Sequence, residues 1–157
     1  MSNSEQEKIK ILYVDDEENN LQAFKANFRR DFKIFLAIDA KKGREILNEE
    51  EVDIIITDQR MPEETGVEFL ESIIPKYPQP IRILLTGYTD IQAVIDAINK
   101  GQIYHYLTKP WEEDYLRTVI KNAYEVYSLR KENERLTKAL IKSNEQLEFI
   151  LRQNLLS

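Results

Sequence analysis

The sequence predicts an α/β protein built on a small, doubly wound parallel sheet with helices on both faces. Five short apolar runs alternate with longer segments of helical periodicity, which is typical of repeated β–α units. The runs are nearly continuous in apolar character, as expected for strands that helices cover on both sides. Right-handed crossovers between parallel strands leave few other topologies.

The elements follow one another in strict alternation. The predicted strands are Ile9–Val14, Ile34–Ile38, Asp53–Thr57, Ile81–Thr86 and Tyr104–Thr108. The predicted helices are approximately Glu18–Arg30, Ala40–Glu49, Gly66–Tyr77, Asp90–Lys100 and Glu112 to about Leu155. Prolines lie near the predicted element ends, where chain-breaking residues are expected: Pro62, Pro75, Pro78, Pro80 and Pro110.

Composition excludes several classes of function. The 157 residues include no cysteine and one histidine, so disulfides, thiolate catalysis and multi-histidine metal sites are excluded. A net charge of -6 argues against binding nucleic acids or anionic membranes, because such affinity comes from clustered Lys and Arg. The polar N-terminus and short apolar runs predict a soluble, cytoplasmic protein, since a bilayer span needs about 20 apolar residues.

Three regions are predicted along the chain: a disordered N-terminus over residues 1–8, a globular domain over 9–127, and a helical extension over 128–157. The stretch from Glu112 to about Leu155 contains no Pro or Gly and is too long for a helix packed on one small sheet.

The extension carries a heptad pattern that predicts a short, parallel, dimeric coiled coil. Its a positions are Asn133, Leu140 and Leu147, and its d positions are Leu129, Leu136, Ser143 and Ile150. A buried Asn at an a position favours paired parallel helices at some cost in stability. The alternative is a single solvated helix, because two seam positions are polar.

Acidic residues stand where two of the predicted strands end. Asp15 and Asp16 follow the first strand, Asp58 follows the third, and Lys109 follows the fifth. Ligands of parallel α/β sheets bind at these carboxyl ends. Clustered carboxylates repel one another unless a cation intervenes, and Mg²⁺ suits oxygen ligands and a phosphoryl group. The alternative is an acidic surface patch whose Asp side chains cap helices.

Four short motifs resemble those of the bacterial two-component receiver domain, in its order and spacing. They are Val14-Asp15-Asp16-Glu17, Asp58-Gln59-Arg60-Met61-Pro62, Leu85-Thr86-Gly87 and Leu107-Thr108-Lys109-Pro110. The resemblance covers about Lys8 to Tyr127. It implies a flavodoxin-like sheet of order 2-1-3-4-5 flanked by five helices. It also implies phosphorylation of one aspartate by a partner histidine kinase or phosphotransfer protein.

The resemblance assigns a role to each matching residue of the phosphorylation site. Asp58 matches the phosphoacceptor, and Lys109 matches the lysine that pairs with it and then with a phosphoryl oxygen. Asp15 and Asp16 match the acids that bind Mg²⁺ together with Asp58, and the backbone carbonyl of Arg60 would complete the protein ligands.

Further matches concern switching and phosphoryl lifetime. Thr86 would donate its hydroxyl to the phosphoryl group, and Tyr106 occupies the aromatic switch position. The alternative for Tyr106 is an ordinary edge residue with its hydroxyl in water. Arg60 and Tyr88 occupy the positions that affect the lifetime of the phosphoryl group. Gly87 is the small residue that leaves room for the phosphodonor, and Pro110 matches the family's cis-proline.

These expectations combine into one functional hypothesis. The chain is a phosphoacceptor regulator whose last helix passes a change in dimer packing to an output domain, and it is no enzyme beyond its own phosphoryl transfer. The alternatives are an unphosphorylated dimerisation scaffold, a DNA-binding regulator and an aspartyl-phosphate phosphatase. A phosphatase of that kind needs a second acid where this chain has Arg60.

Overall fold

The computed structural model describes residues 7–87 and 91–156. Most of the predicted N-terminal disordered segment, residues 1–6, and the predicted lifetime residue Tyr88 lie outside these ranges. The elements in chain order are β1 (Lys10–Val14), α1 (Glu18–Phe28), β2 (Lys33–Ala37), α2 (Ala40–Glu49), β3 (Ile54–Asp58), α3 (Gly66–Ile73), β4 (Ile81–Thr86), α4 (Ile91–Asn99), β5 (His105–Thr108) and α5 (Glu113–Leu156).

The strands form one parallel sheet of order β2-β1-β3-β4-β5. The predicted fold class and strand order are therefore confirmed. The main difference in boundaries is at α3, which was predicted to reach Tyr77 and ends at Ile73. Pro75 explains this, because it has no N–H to donate back to the helix and its ring crowds the preceding turn. The predicted start of α4 at Asp90 lies outside the described residues, and the other boundaries agree with prediction within two residues.

The sheet separates two apolar layers. Along β1, Ile11 and Tyr13 face a layer formed with α1 and α5, whereas Leu12 and Val14 face a layer formed with α2, α3 and α4. Every one of these four side chains is fully buried. This two-sided burial explains why the strands are almost continuously apolar in sequence.

Helix α5 packs on the sheet only in its first half. Its buried residues end at Tyr127, and every residue from 128 to 156 is exposed. The predicted long final helix is present, and the five apolar side chains of the predicted coiled-coil seam are between 51% and 70% exposed. Among the described residues, no helix is both long and apolar enough to cross a bilayer.

Candidate functional site

The three strand-end aspartates come together because β1 and β3 are neighbours in the sheet. Val14 pairs with Thr57, so the residues that follow them leave the sheet side by side. One carboxylate oxygen each from Asp15, Asp16 and Asp58 lies within 4.8 Å of the others. Asp58 is the last residue of β3 rather than the residue after it, and this gives its backbone the rigidity of the sheet.

Lys109 follows β5, which is separated from β3 by β4, and its side chain extends across to the aspartates. Its Nζ lies 2.9 Å from Oδ2 of Asp15 and 3.1 Å from Oδ1 of Asp58. Its backbone N–H donates to the carbonyl of Thr86 at 3.0 Å and so ties this turn to β4. The Lys109–Pro110 peptide bond is cis. One ammonium group therefore bridges two carboxylates that arise from different strands.

Burial and charge around Asp58 raise the pKa of its carboxyl group and favour a bound cation. Burial raises the pKa of Asp58, the Asp15 and Asp16 charges raise it further, and Lys109 opposes them. Burial lowers the pKa of Lys109, but its hydrogen bond to Asp15 and the charge of Asp58 outweigh this and leave it raised. Three carboxylates face one ammonium, so a hard divalent cation such as Mg²⁺ fits the donor set and its charge.

The remaining predicted residues differ in burial: Thr86 is buried, whereas Arg60 and Tyr106 are exposed. Thr86 ends β4 with 1% of its surface exposed, and its hydroxyl donates to the Gly87 carbonyl at 3.0 Å. Arg60 lies in an exposed position in the loop after β3. Tyr106 lies on β5 and is 37% exposed, so its ring is outside the core.

Sequence reasoning missed Gly66 and Gln59, which fix the end of β3. A Cβ on Gly66 would lie 2.8 Å from Cδ1 of Leu84 and closer still to the backbone oxygen of Asp58. The buried side chain of Gln59 accepts the Val67 N–H at 2.9 Å, which docks α3 against the site. The sequence does contain one signal, the capping box of Thr65 and Glu68, which marks the start of α3.

Two further side chains that hold Asp15 were also missed. The Tyr13 hydroxyl donates to Oδ2 of Asp15 at 2.7 Å, and Nδ2 of Asn20 donates to the same oxygen at 3.2 Å. No signal in the sequence indicates this, because Tyr13 lies within an apolar strand run and aromatic residues are common in strands.

Comparison with known proteins defines the class of protein. The response regulator receiver domain family matches residues 11–121, and the chain belongs to this family. Receiver domains are regulatory phosphoacceptors that partner with histidine kinases and bind Mg²⁺ through acidic residues, and this chain has such residues in one cluster.

Individual relatives share the receiver part. The chain is 39% identical over 124 residues to the hydrogenase transcriptional regulatory protein HoxA of Bradyrhizobium diazoefficiens, a match that covers 79% of this chain and 26% of HoxA. It is 32% identical over 141 residues to a putative NtrX-like response regulator of Rickettsia felis, covering 88% of this chain and 30% of that protein. The chain thus spans less than a third of the length of these relatives.

Solved structures show the same fold. The signal receiver domain of an HD domain-containing protein from Pseudomonas fluorescens superimposes with a TM-score of 0.73 at 34% identity, covering 77% of this chain and 98% of that one. A structure described as an adenylate cyclase from Rhodopirellula baltica gives a TM-score of 0.81 at 26% identity, covering 83% and 98%.

Replacement of Lys109 by glutamine is expected to raise the pKa of Asp58 further. Lys109 supplies both the charge and the hydrogen bond that lower this pKa, and glutamine is a slightly shorter polar side chain that carries no charge. Carboxyl carbon shifts measured by NMR across a pH titration without Mg²⁺ would show the change. Lys131→Gln, on the exposed part of α5, is the control and should leave Asp58 unaffected. A Lys109→Gln variant with an unshifted Asp58 would contradict the bridge.

Proposed function

We propose that Asp58 accepts a phosphoryl group from a histidine kinase or phosphotransfer protein, and that Asp15, Asp16 and the Arg60 carbonyl hold the Mg²⁺ that this transfer needs. The observation that supports this most directly is the convergence of three strand-end carboxylates with Lys109, whose Nζ lies 3.1 Å from Asp58. The protein acts in the cytoplasm, without contact to nucleic acid or membrane.

The transfer follows from the residues around Asp58. A carboxylate oxygen of Asp58 attacks phosphorus and forms an O–P bond, while the P–N bond to the donor imidazole breaks and its electron pair leaves with the imidazole. When bound, Mg²⁺ offsets charge on the phosphoryl oxygens. Lys109 turns from Asp15 and Asp58 toward one phosphoryl oxygen, and the Thr86 hydroxyl donates to another.

Switching begins when Thr86 leaves its present partner. Its hydroxyl now donates to the Gly87 carbonyl, so engagement of a phosphoryl oxygen requires that it turn toward Asp58. The space it leaves receives the ring of Tyr106, which is 37% exposed in the present structure. Arg60 and Tyr88 set how long the phosphoryl group lasts.

The exposed half of α5 carries the change onward as a parallel homodimeric coiled coil. Its apolar side chains at Leu129, Leu136, Leu140, Leu147 and Ile150 have no cover within the described chain, and a second copy would bury them. An output domain beyond this helix is part of the proposal. Solved relatives described as an adenylate cyclase and as an HD domain-containing protein favour an enzyme, whereas HoxA is a transcriptional regulator.

The proposal predicts a response to beryllofluoride, which imitates the phosphoryl group. Light scattering and sedimentation with Mg²⁺ and beryllofluoride are expected to show a change in mass or shape for the wild type and none for Asp58→Asn. Removal of residues 129–157 should abolish dimers in both states, because only the exposed part of α5 is lost. A constant dimer would mean that the coiled coil is constitutive and that the signal is a change within the dimer. A monomer with or without beryllofluoride would contradict the coiled coil, and a dimer whose mass, shape and helix register all stay unchanged would contradict the switch.

A further inference from the structure

Tyr13 places a hydroxyl group inside the apolar core. The residue lies on β1 with none of its surface exposed, and its ring stacks on Phe24 at a centroid distance of 4.2 Å and an angle of 9°. The centroid of the Tyr13 ring also lies 6.1 Å from that of the Trp111 ring, and the two ring planes are at 81° to each other. A phenylalanine would make the same ring contacts, so packing alone does not account for the hydroxyl.

The hydroxyl has one strong interaction, with Asp15. It donates to Oδ2 at 2.7 Å, and both side chains are fully buried. Oδ2 also accepts from Lys109 at 2.9 Å and from Asn20 at 3.2 Å, while Oδ1 accepts from the Glu17 N–H at 3.0 Å. Of the three side-chain donors, only Tyr13 is fully buried, so water can replace the others more readily.

This contact restricts how Asp15 can present its carboxylate. The terminal torsion of an aspartate is soft, so neighbouring hydrogen bonds decide its orientation. Lys109 is shared with Asp58 and, in the proposed mechanism, moves to the phosphoryl group. Tyr13 stays in place because its ring is stacked in the core. It is therefore a fully buried side-chain donor that persists through phosphorylation, whereas Lys109 moves away.

We propose that Tyr13 is a positioning residue for Mg²⁺, whose hydroxyl holds the Asp15 carboxylate in the orientation that binds the cation. The inference rests on the proposed function, in which Asp15 is a metal ligand. Hydrogen bonds to ligating carboxylates commonly change metal affinity by about 10-fold to 100-fold when they are lost. The effect here is one of affinity, and it leaves the phosphoryl transfer chemistry of Asp58 intact.

The test is Tyr13→Phe, which removes one oxygen and keeps the ring. Calorimetric titration is expected to give a Mg²⁺ dissociation constant about 10-fold higher than that of the wild type. Phosphorylation by acetyl phosphate should be slower at low Mg²⁺ and should return to the wild-type rate when Mg²⁺ is saturating. A role in packing alone would not produce this dependence on Mg²⁺.

Tyr127→Phe is the matched control, because it removes the hydroxyl of another tyrosine buried in the same apolar layer, where it interacts with Lys131 and Asp53 rather than with the site. It is expected to lower the melting temperature and to keep the wild-type Mg²⁺ affinity. Wild-type affinity in Tyr13→Phe, or an equal loss in both variants, would overturn the inference. A wild type that neither binds Mg²⁺ nor accepts phosphate would instead overturn the proposed function, so the two failures are distinguishable.

Discussion

Asp58→Asn is expected to abolish phosphoryl incorporation and, at neutral pH without Mg²⁺, to make the protein more stable. The amide has no anionic oxygen to attack phosphorus, so no residual transfer to this position should occur. The gain in stability has a separate cause. Burial and the neighbouring carboxylates raise the pKa of Asp58, which means that the ionised form costs free energy in the folded state.

The pH dependence of this gain has a definite sign. Because the folded pKa of Asp58 is raised, the folded state holds this proton more tightly than the unfolded state. Wild-type stability is therefore lost as pH rises from the unfolded pKa through the raised folded pKa. Asp58→Asn does not titrate, so its advantage should be absent well below the unfolded pKa of about 3.9, where both states are protonated, and largest above the raised folded pKa.

Two measurements check this prediction. Intact-mass spectrometry after incubation with acetyl phosphate and Mg²⁺ shows whether one phosphoryl group is added, and thermal unfolding in EDTA across the pH range shows the gain in stability. Asp96→Asn is the matched control, since it removes one exposed charge from α4 and should change neither result. Phosphorylation of Asp58→Asn would show that another residue is the acceptor, and an unchanged melting temperature would contradict the buried-charge argument.

Gly66→Ala is expected to destabilise the protein by about 3 kcal/mol, the upper part of the usual range for overpacking. The added methyl would lie 2.8 Å from Cδ1 of Leu84 and 3.1 Å from the carbonyl carbon of Asp58. Leu84 can adjust its side chain, but the Asp58 backbone is held in β3 and cannot move freely. Chemical denaturation gives the stability change, and slower phosphorylation should accompany it because the shift occurs at the acceptor.

Gly87→Ala provides the contrasting control next to the same site. A Cβ at Gly87 meets no atom within 4 Å among the described residues, so stability should stay within about 0.5 kcal/mol of the wild type. If the absence of a side chain at Gly87 leaves room for the phosphodonor, this variant should be phosphorylated more slowly while it remains fully stable. A stable Gly66→Ala variant would show that α3 can move away from β3 at little cost.

The central cluster was predictable from the sequence because it follows from a rule about parallel sheets. Strand ends of neighbouring parallel strands share one edge, so Asp15 and Asp58 had to approach each other once β1 and β3 were adjacent. That adjacency was inferred from the resemblance rather than from hydropathy, which predicts strands without giving their order. The receiver motifs thus supplied what local patterns could not.

Local pattern also determined the two apolar layers and the length of α5. Continuous apolar runs require cover on both faces of the sheet, and the absence of Pro and Gly after Glu112 permits an uninterrupted helix. These features depend on neighbours in the chain. Sequence periodicity therefore predicts them directly. It failed at the end of α3, which lies at Ile73 because Pro75 outweighed the helical pattern.

Close approaches between distant segments came only from the folded molecule. Tyr13 resembles any aromatic strand residue until Asp15 is seen at 2.7 Å from its hydroxyl, and Gly66 resembles any glycine at the start of a helix until the Asp58 backbone is placed beside it. The contact of Lys109 with Asp58 was expected from the resemblance, whereas its contact with Asp15 was not. Such contacts depend on packing distances of a few ångströms, and these are set by how helices dock on the sheet rather than by the order of residues along one element.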